Sequence, residues 1–212
     1  MRKLFAVLAL LAISGIPTLA QDRGGETPLF EVNGGYTYLR WEIPPALGAP
    51  QSSYNYNGFN AGAAYNITHL FAAVADISGV YNSQPNTGSG PSNSHIYSYL
   101  FGPRVYPLGH HKLTPFAHAL FGVSTFTLNS PAFVSNGVLM PALPQLTDNA
   151  FSFAFGVGMD WKLTKHIAVR LGQVDYQQTR LLHTLAAETA QPANNQNNFR
   201  YSGGVVIRFG EK

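Results

Sequence analysis

The chain contains no cysteine, and only 11 % of its 212 residues are charged, against roughly 25 % in an ordinary soluble domain. Without thiols there is no disulfide framework, so an exported chain of this kind must take its stability from elsewhere, for which a closed ladder of backbone hydrogen bonds suffices. Beyond residue 21 there is no run of about 18 apolar residues, which excludes a membrane-spanning helix. A basic excess is lacking as well. Of the 13 lysines and arginines, Arg2 and Lys3 belong to the opening segment, which leaves 11 against 10 acidic residues. Nucleic acid is therefore not an expected partner.

What is present begins with MRKLFAVLALLAISGIPTLAQ. Two basic residues, an apolar run from Leu4 to Ile13 and the small-residue site Thr18-Leu19-Ala20 have the form of a secretory signal peptide. The expected organisation is a leader over residues 1–20, a short segment over 21–28 and one β-domain over 29–212.

Within that domain the stretch FSFAFGVGMDWKL separates into two lists. Phe151, Phe153, Phe155, Val157, Met159 and Trp161 alternate with Ser152, Ala154, Gly156, Gly158, Asp160 and Lys162. Side chains alternate across a strand. A soluble sandwich would carry Lys, Glu and Thr on the second face, whereas small residues suit the crowded inside of a narrow barrel. The apolar list is then lipid-facing.

Seven further segments repeat the pattern. Phe30 to Tyr38 sets Phe30, Val32, Tyr36 and Tyr38 against Glu31, Asn33 and Thr37. Tyr54 to Tyr65 sets Phe59, Ala61, Ala63 and Tyr65 against Gly58, Asn60, Gly62 and Ala64. Leu70 to Tyr81, His95 to Tyr106 and Thr114 to Leu128 turn Asp76, Arg104 and His118 inward. In the segment from Ile167 the parity breaks at Gly172-Gln173, where a bulge is expected and Val174 and Tyr176 take over the apolar phase. The last segment, FRYSGGVVIRF, turns Arg200, Ser202, Gly204 and Arg208 inward and Phe199, Tyr201, Val205, Ile207 and Phe209 outward. Eight is an even count, as closed bacterial barrels of a single chain require.

Connection lengths alternate strictly. Asn66 to His69, Pro107 to Lys112 and Thr164 to His166 are short, whereas Glu42 to Ser53, Asn82 to Ser94, Asn129 to Asn149 and Leu181 to Asn198 are long. The pattern predicts an all-β, eight-stranded antiparallel up-and-down transmembrane barrel with short periplasmic turns and long extracellular loops. Aromatic girdles are expected at Tyr36, Tyr38, Tyr54, Tyr81, Tyr97, Tyr99 and Tyr201 near the outer ends, and at Tyr65, Tyr106, Trp161 and Phe209 near the inner ends.

In phrases such as Phe101-Gly102-Pro103-Arg104-Val105, Gly156-Val157-Gly158-Met159-Asp160 and His166-Ile167-Ala168-Val169-Arg170, followed by Asp175-Tyr176, the chain resembles the OmpA-like group of eight-stranded outer-membrane barrels. The resemblance implies an outer-membrane location in a Gram-negative envelope, outer-membrane lipid as surroundings and the barrel-assembly machinery as a partner. It also implies an assembly signal, here Ser202, Gly204, Ile207 and Phe209, which three further residues follow. No peptidoglycan-binding domain after the barrel is expected.

Eight strands leave an interior just wide enough for side chains. The inward charges, Glu31, Asp76, Arg104, Asp160, Lys162, Arg170, Arg200 and Arg208, are expected to form a balanced network, with Glu31 meeting Arg208 where the first and last strands close the barrel. A narrow gated ion path past Arg104, Asp160 and Arg170 is the alternative use of these residues. His110-His111 reads as a solvated turn without a third metal ligand. His118, Ser124 and Asp160 lack the nucleophile turn of a hydrolase. A structural or surface-interaction role in a monomer is therefore expected, with no enzymatic activity, no cofactor and no metal, and with the long loops available to a surface ligand. The rival readings are a barrel enzyme acting on lipid A and a soluble binding barrel of lipocalin type.

Overall fold

Each alternating segment must hide one face and satisfy both edges, and the chain does this by closing on itself. The structure, a computed structural model, describes residues 27–43, 52–84, 91–135, 137–181 and 195–211. The expected leader, residues 1–20, and the middle of three long connections lie outside these residues. In chain order the strands are β1 (Pro28–Ile43), β2 (Ser52–Asn66), β3 (Phe71–Gln84), β4 (Ser92–Val105), β5 (Leu113–Asn129), the short pair β6 (Phe133–Ser135) and β7 (Val138–Met140), β8 (Leu146–Lys162), β9 (Ile167–Leu181) and β10 (Asn195–Glu211). All but β6 and β7 form one closed antiparallel barrel in the order β1-β2-β3-β4-β5-β8-β9-β10, with β10 returning to β1.

The register fixes the shape. From Phe30 the ladder steps through Tyr65, Ala73 and Pro103, crosses to Ala119 between the Phe101–Phe121 and Arg104–His118 rungs, and continues through Phe155, Tyr176 and Phe199 to Arg40. One circuit thus climbs ten residues on β1. For eight strands about 4.8 Å apart this stagger implies a tilt of about 40°, a rise of about 2.5 Å per residue and a backbone radius of about 8 Å.

Facing follows the alternation. Phe151, Phe155, Val157, Met159 and Trp161 are exposed on the outer wall, with Phe153 half-buried there, while Ser152, Ala154 and Asp160 are fully buried inside. In β9 the pairing slips by one residue against both neighbours, Met159 and Asp160 opposing Gly172 and Arg170, and Ser202 and Gly204 opposing Gln173 and Arg170. This bulge turns Gln173, Asp175, Gln177 and Thr179 into the lumen.

Three expectations need correction. The strands run farther into the long connections than the apolar pattern indicates, β1 to Ile43 and β2 from Ser52, because pairing continues after the outward residues become polar. Tyr54 packs against an inner apolar cluster and is no outer girdle residue. Tyr106 is fully buried in the lumen, where its hydroxyl donates to Glu31 Oε2 at 3.0 Å.

The glycines of β8 make room for that interior. A Cβ at Gly156 would lie 1.8 Å from Asp175 Oδ1 and 2.6 Å from His118 Nε2, and one at Gly158 would lie 2.3 Å from the Phe116 ring. Asp175 cannot yield cheaply, since Arg200, His118 and Gln173 all hold it. Gly156→Ala is therefore expected to destabilise the barrel by about 1–3 kcal/mol. Outward Gly34, whose Cβ would meet nothing nearer than 4.0 Å, should accept alanine with little change. Heat-induced loss of the fast-migrating folded band in electrophoresis compares the two; equal midpoints would count against the packing argument.

Candidate functional site in the barrel lumen

The lumen is built in tiers because each inward residue meets those two strands away as well as its ladder neighbours. At the end with the short turns, β10 closes on β1 and Arg208 Nε donates to Glu31 Oε1 at 3.1 Å. His110 reaches over from the turn after β4, its Nε2 3.5 Å from Glu31 Oε1 and its ring 4.3 Å from that of Tyr106. His110 is 2 % exposed, so the expectation of a solvated histidine turn is corrected. The turn folds back under the barrel and supplies part of its floor.

The next tier centres on Phe116. The guanidinium groups of Arg104 and Arg170 lie 4.3 and 4.7 Å from its ring centroid, within the range at which cations are attracted to a ring face. Arg170 also grips Asp160 with two hydrogen bonds, of 2.9 and 3.2 Å, the fork geometry for which arginine is suited. Its Nη1 donates to Gln173 Oε1, and Gln173 Nε2 donates to Asp175 Oδ2.

At mid-height Arg200 joins opposite walls. Its Nε donates to Asp175 at 2.7 Å, and its Nη1 donates to Asp76 at 2.6 Å and to Ser78 at 3.2 Å. His118 Nε2 lies 2.8 Å from the other oxygen of Asp175. Above follow hydroxyl and amide groups: Ser98, Ser124, Ser152 and Thr179 in one chain, with Gln177 donating to Ser98 and Ser124. An apolar cap of Leu39, Trp41, Tyr56, Val80, Ile96 and Ala150 fills the side opposite, with Trp41 stacked on Phe126 at 6.0 Å.

Seven of the eight inward charges expected from the sequence are buried in these tiers; Lys162 is half-exposed at the mouth. The residue missing from that set is Asp175, fully buried at the centre. Below the cap the described residues bring Glu31, Asp76, Asp160 and Asp175 together with Arg104, Arg170, Arg200 and Arg208. Four carboxylates meet four guanidinium groups. Ser124 is bound up with other hydroxyls and Asp160 with Arg170, so neither joins His118, whose carboxylate partner is Asp175. Among the described residues no cluster of three or more His, Asp or Glu could hold a metal ion. In the proposed assembly signal, Ser202 is buried against Thr37 Oγ1 at 2.7 Å, while Ile207 and Phe209 are exposed outward.

A polar lumen inside an apolar outer wall is the reverse of a lipocalin-type barrel. The family model for the outer membrane protein beta-barrel domain matches residues 6–209. The chain belongs to this family. It is an outer-membrane protein, and its apolar wall faces membrane lipid. Among solved structures, it is similar to Ail of Yersinia pestis, with 14 % identity over 88 % of this chain and 100 % of that one and a TM-score of 0.54. Neisserial surface protein A is similar at 12 % identity over 87 % and 99 % of the two chains, with a TM-score of 0.57. OprG of Pseudomonas aeruginosa is similar at 13 % identity over 88 % and 98 %, with a TM-score of 0.51. At such identities the likeness concerns the fold alone. No curated protein matches the chain.

Proposed function

We propose that this outer-membrane barrel is a filled, non-conducting strut that carries its extracellular end as an interaction surface and performs no catalysis. The observation that carries this reading is the charge-balanced network centred on Arg200, which spans from Asp175 on β9 to Asp76 on β3 at 2.7 and 2.6 Å. An ion passing through would have to displace buried charge pairs, and leaving one partner uncompensated costs several kcal/mol. The inner groups that could resemble catalytic residues are engaged with one another. His118 and Asp175 are 5 % and 0 % exposed at mid-lumen, far from a rim where a lipid substrate would arrive.

We also read residues 1–20 as the export leader, 21–28 as a short segment and 29–212 as the barrel domain. Ser202, Gly204, Ile207 and Phe209 would be the signal taken up by the assembly machinery, and the mature protein would work as a monomer. The loop connecting β5 to β8 supports a surface role, because its β6–β7 hairpin exposes Val134, Val138, Leu139 and Met140.

Planar-bilayer recording of the refolded protein tests the filled lumen. No unitary conductance is expected for the wild type, nor for Trp41→Ala, in which the network beneath the cap is intact. Discrete openings in the wild type that change ion selectivity in Arg104→Ala would favour the gated path and overturn the reading.

A further inference from the structure

The end of the barrel with the short turns carries positive charge that the luminal network does not absorb. Lys162 ends β8, and its backbone N–H donates to the carbonyl of Lys112 at 2.8 Å, which continues the rung between Leu113 and Trp161. Two lysines thus stand side by side on neighbouring chains, an unfavourable arrangement unless an anion joins them. The carboxylates described at this end are engaged elsewhere: Asp160 with Arg170, Glu31 with Arg208, and Glu211 with Lys165 at 3.4 Å. Among the described residues no ion pair reaches Lys112 or Lys162. Asp22, Arg23, Glu26 and Lys212, which flank the barrel in sequence outside the described residues, carry two charges of each sign and so leave the excess positive.

A cleft opens beside these lysines, between the β8–β9 turn and the end of β10. It is lined by Pro28, Lys162, Lys165, His166, Arg208 and Glu211, and its enclosed part, about 10 Å³, has room for one water-sized oxygen. The walls are stitched together where Arg208 N donates to His166 O at 2.8 Å. Arg208 is 2 % exposed; its Nε is spent on Glu31, and its Nη2 has no partner among the described residues. A buried donor left so is unfavourable, and more so on a charged group. Next to the cleft the apolar band of the outer wall ends in Leu113, Trp161, Ile167 and Phe209, all exposed. The cleft therefore lies where the hydrocarbon of the inner leaflet gives way to headgroups.

We propose that this cleft is a phosphate site, in which one oxygen enters beside Arg208 and the remaining charge is shared by Lys112 and Lys162. A tetrahedral oxyanion offers an acceptor of the size the cleft admits, together with the negative charge that both lysines lack. The phosphodiester of an inner-leaflet phospholipid and free phosphate have this chemistry in common. The height of the cleft favours the lipid.

The test follows the heat-unfolding midpoint of the refolded full chain in non-ionic detergent and phosphate-free buffer at constant ionic strength. Phosphatidylglycerol, inorganic phosphate, oleate or diacylglycerol is then added. A rise of about 3 °C is expected with phosphatidylglycerol and none with oleate or diacylglycerol. A matching rise with inorganic phosphate shows that the free ion suffices, and its absence makes the lipid headgroup the source; both results support the site. The rise should vanish in K112Q/K162Q, whose midpoint without any anion is no lower than that of the wild type because the like-charge contact is gone. It should persist in Arg40→Gln, at the opposite end of β1. No rise with either phosphate source, an equal rise with oleate or diacylglycerol, or an undiminished rise in K112Q/K162Q overturns the proposal. So does a rise seen only in D22N/E26Q, since the chain's own carboxylates would then fill the cleft.

Discussion

Arg200→Ala should be the most damaging single substitution in the lumen. Arg200 is fully buried and its guanidinium is shared between Asp76 and Asp175 at 2.6 and 2.7 Å. Removing it strands two carboxylates, at 3 % and 0 % exposure, among Ser78, His118 and Gln173, which can replace only part of the lost hydrogen bonding. Breaking a buried pair by deleting one partner costs about 3–5 kcal/mol, and here one deletion breaks two. A loss at or above the upper end of that range is expected in urea-dependent unfolding in lipid vesicles. The triple variant D76N/R200M/D175N tests the cause, because it removes all three charges and should recover much of the loss. If Arg200→Ala unfolds at the wild-type denaturant concentration, the network fills space without holding the walls together. If the triple variant is as unstable as the single one, lost packing outweighs stranded charge.

The same network marks what was legible in the sequence. A period of two assigns every barrel strand its faces without any knowledge of partners, because one apolar and one small or polar list admit only two orientations, and lipid selects between them. The pairing of Glu31 with Arg208 is also readable, since the first and last strands of a closed barrel must be neighbours. Asp175 escaped the inward set although the signal was there: beyond the bulge Val174 and Tyr176 point outward, so the residue between them points in. Lys162 has inward parity but ends its strand, and a long aliphatic stem lets its charge reach water at the mouth.

Other parts carried no periodic signal. His110 and Tyr106 lie in a turn, where alternation ends, and their burial depends on the turn folding back against Glu31. The outer ends of β1 and β2 eluded a reading based on apolar outward residues because there the outward positions turn polar while Leu39, Trp41 and Tyr56 point inward; only the ladder register shows that the two strands are still paired at Ile43 and Ser52. The β6–β7 hairpin did leave a trace. Asn136-Gly137 between two short apolar runs is a strong hairpin dipeptide, and Gly137 has the positive φ, 78°, that such a turn requires.

Phe155→Arg probes the other face of the wall. Phe155 is 57 % exposed on the outer surface, and its rung lies near the middle of the apolar band, between Trp161 at the periplasmic rim and Phe151 toward the extracellular rim. A guanidinium there faces hydrocarbon with no partner, because the ladder neighbours of Phe155 are Ala119 and Tyr176. Arginine at the bilayer midplane costs about 2–4 kcal/mol in barrels of this kind and about 0–1 near the interfaces. Phe155→Arg should therefore lower unfolding stability in vesicles by the larger amount, and Trp161→Arg by clearly less once the aromatic contribution common to both sites is subtracted with the alanine variants. The luminal change Ser152→Asn introduces a hydrogen-bonding group beside Ser124 and Thr179 and should cost less than Phe155→Arg. The depth dependence separates lipid from water as the medium outside. Beside water, arginine at positions 155 and 161 would be tolerated alike, and the apolar wall would need another partner to cover it.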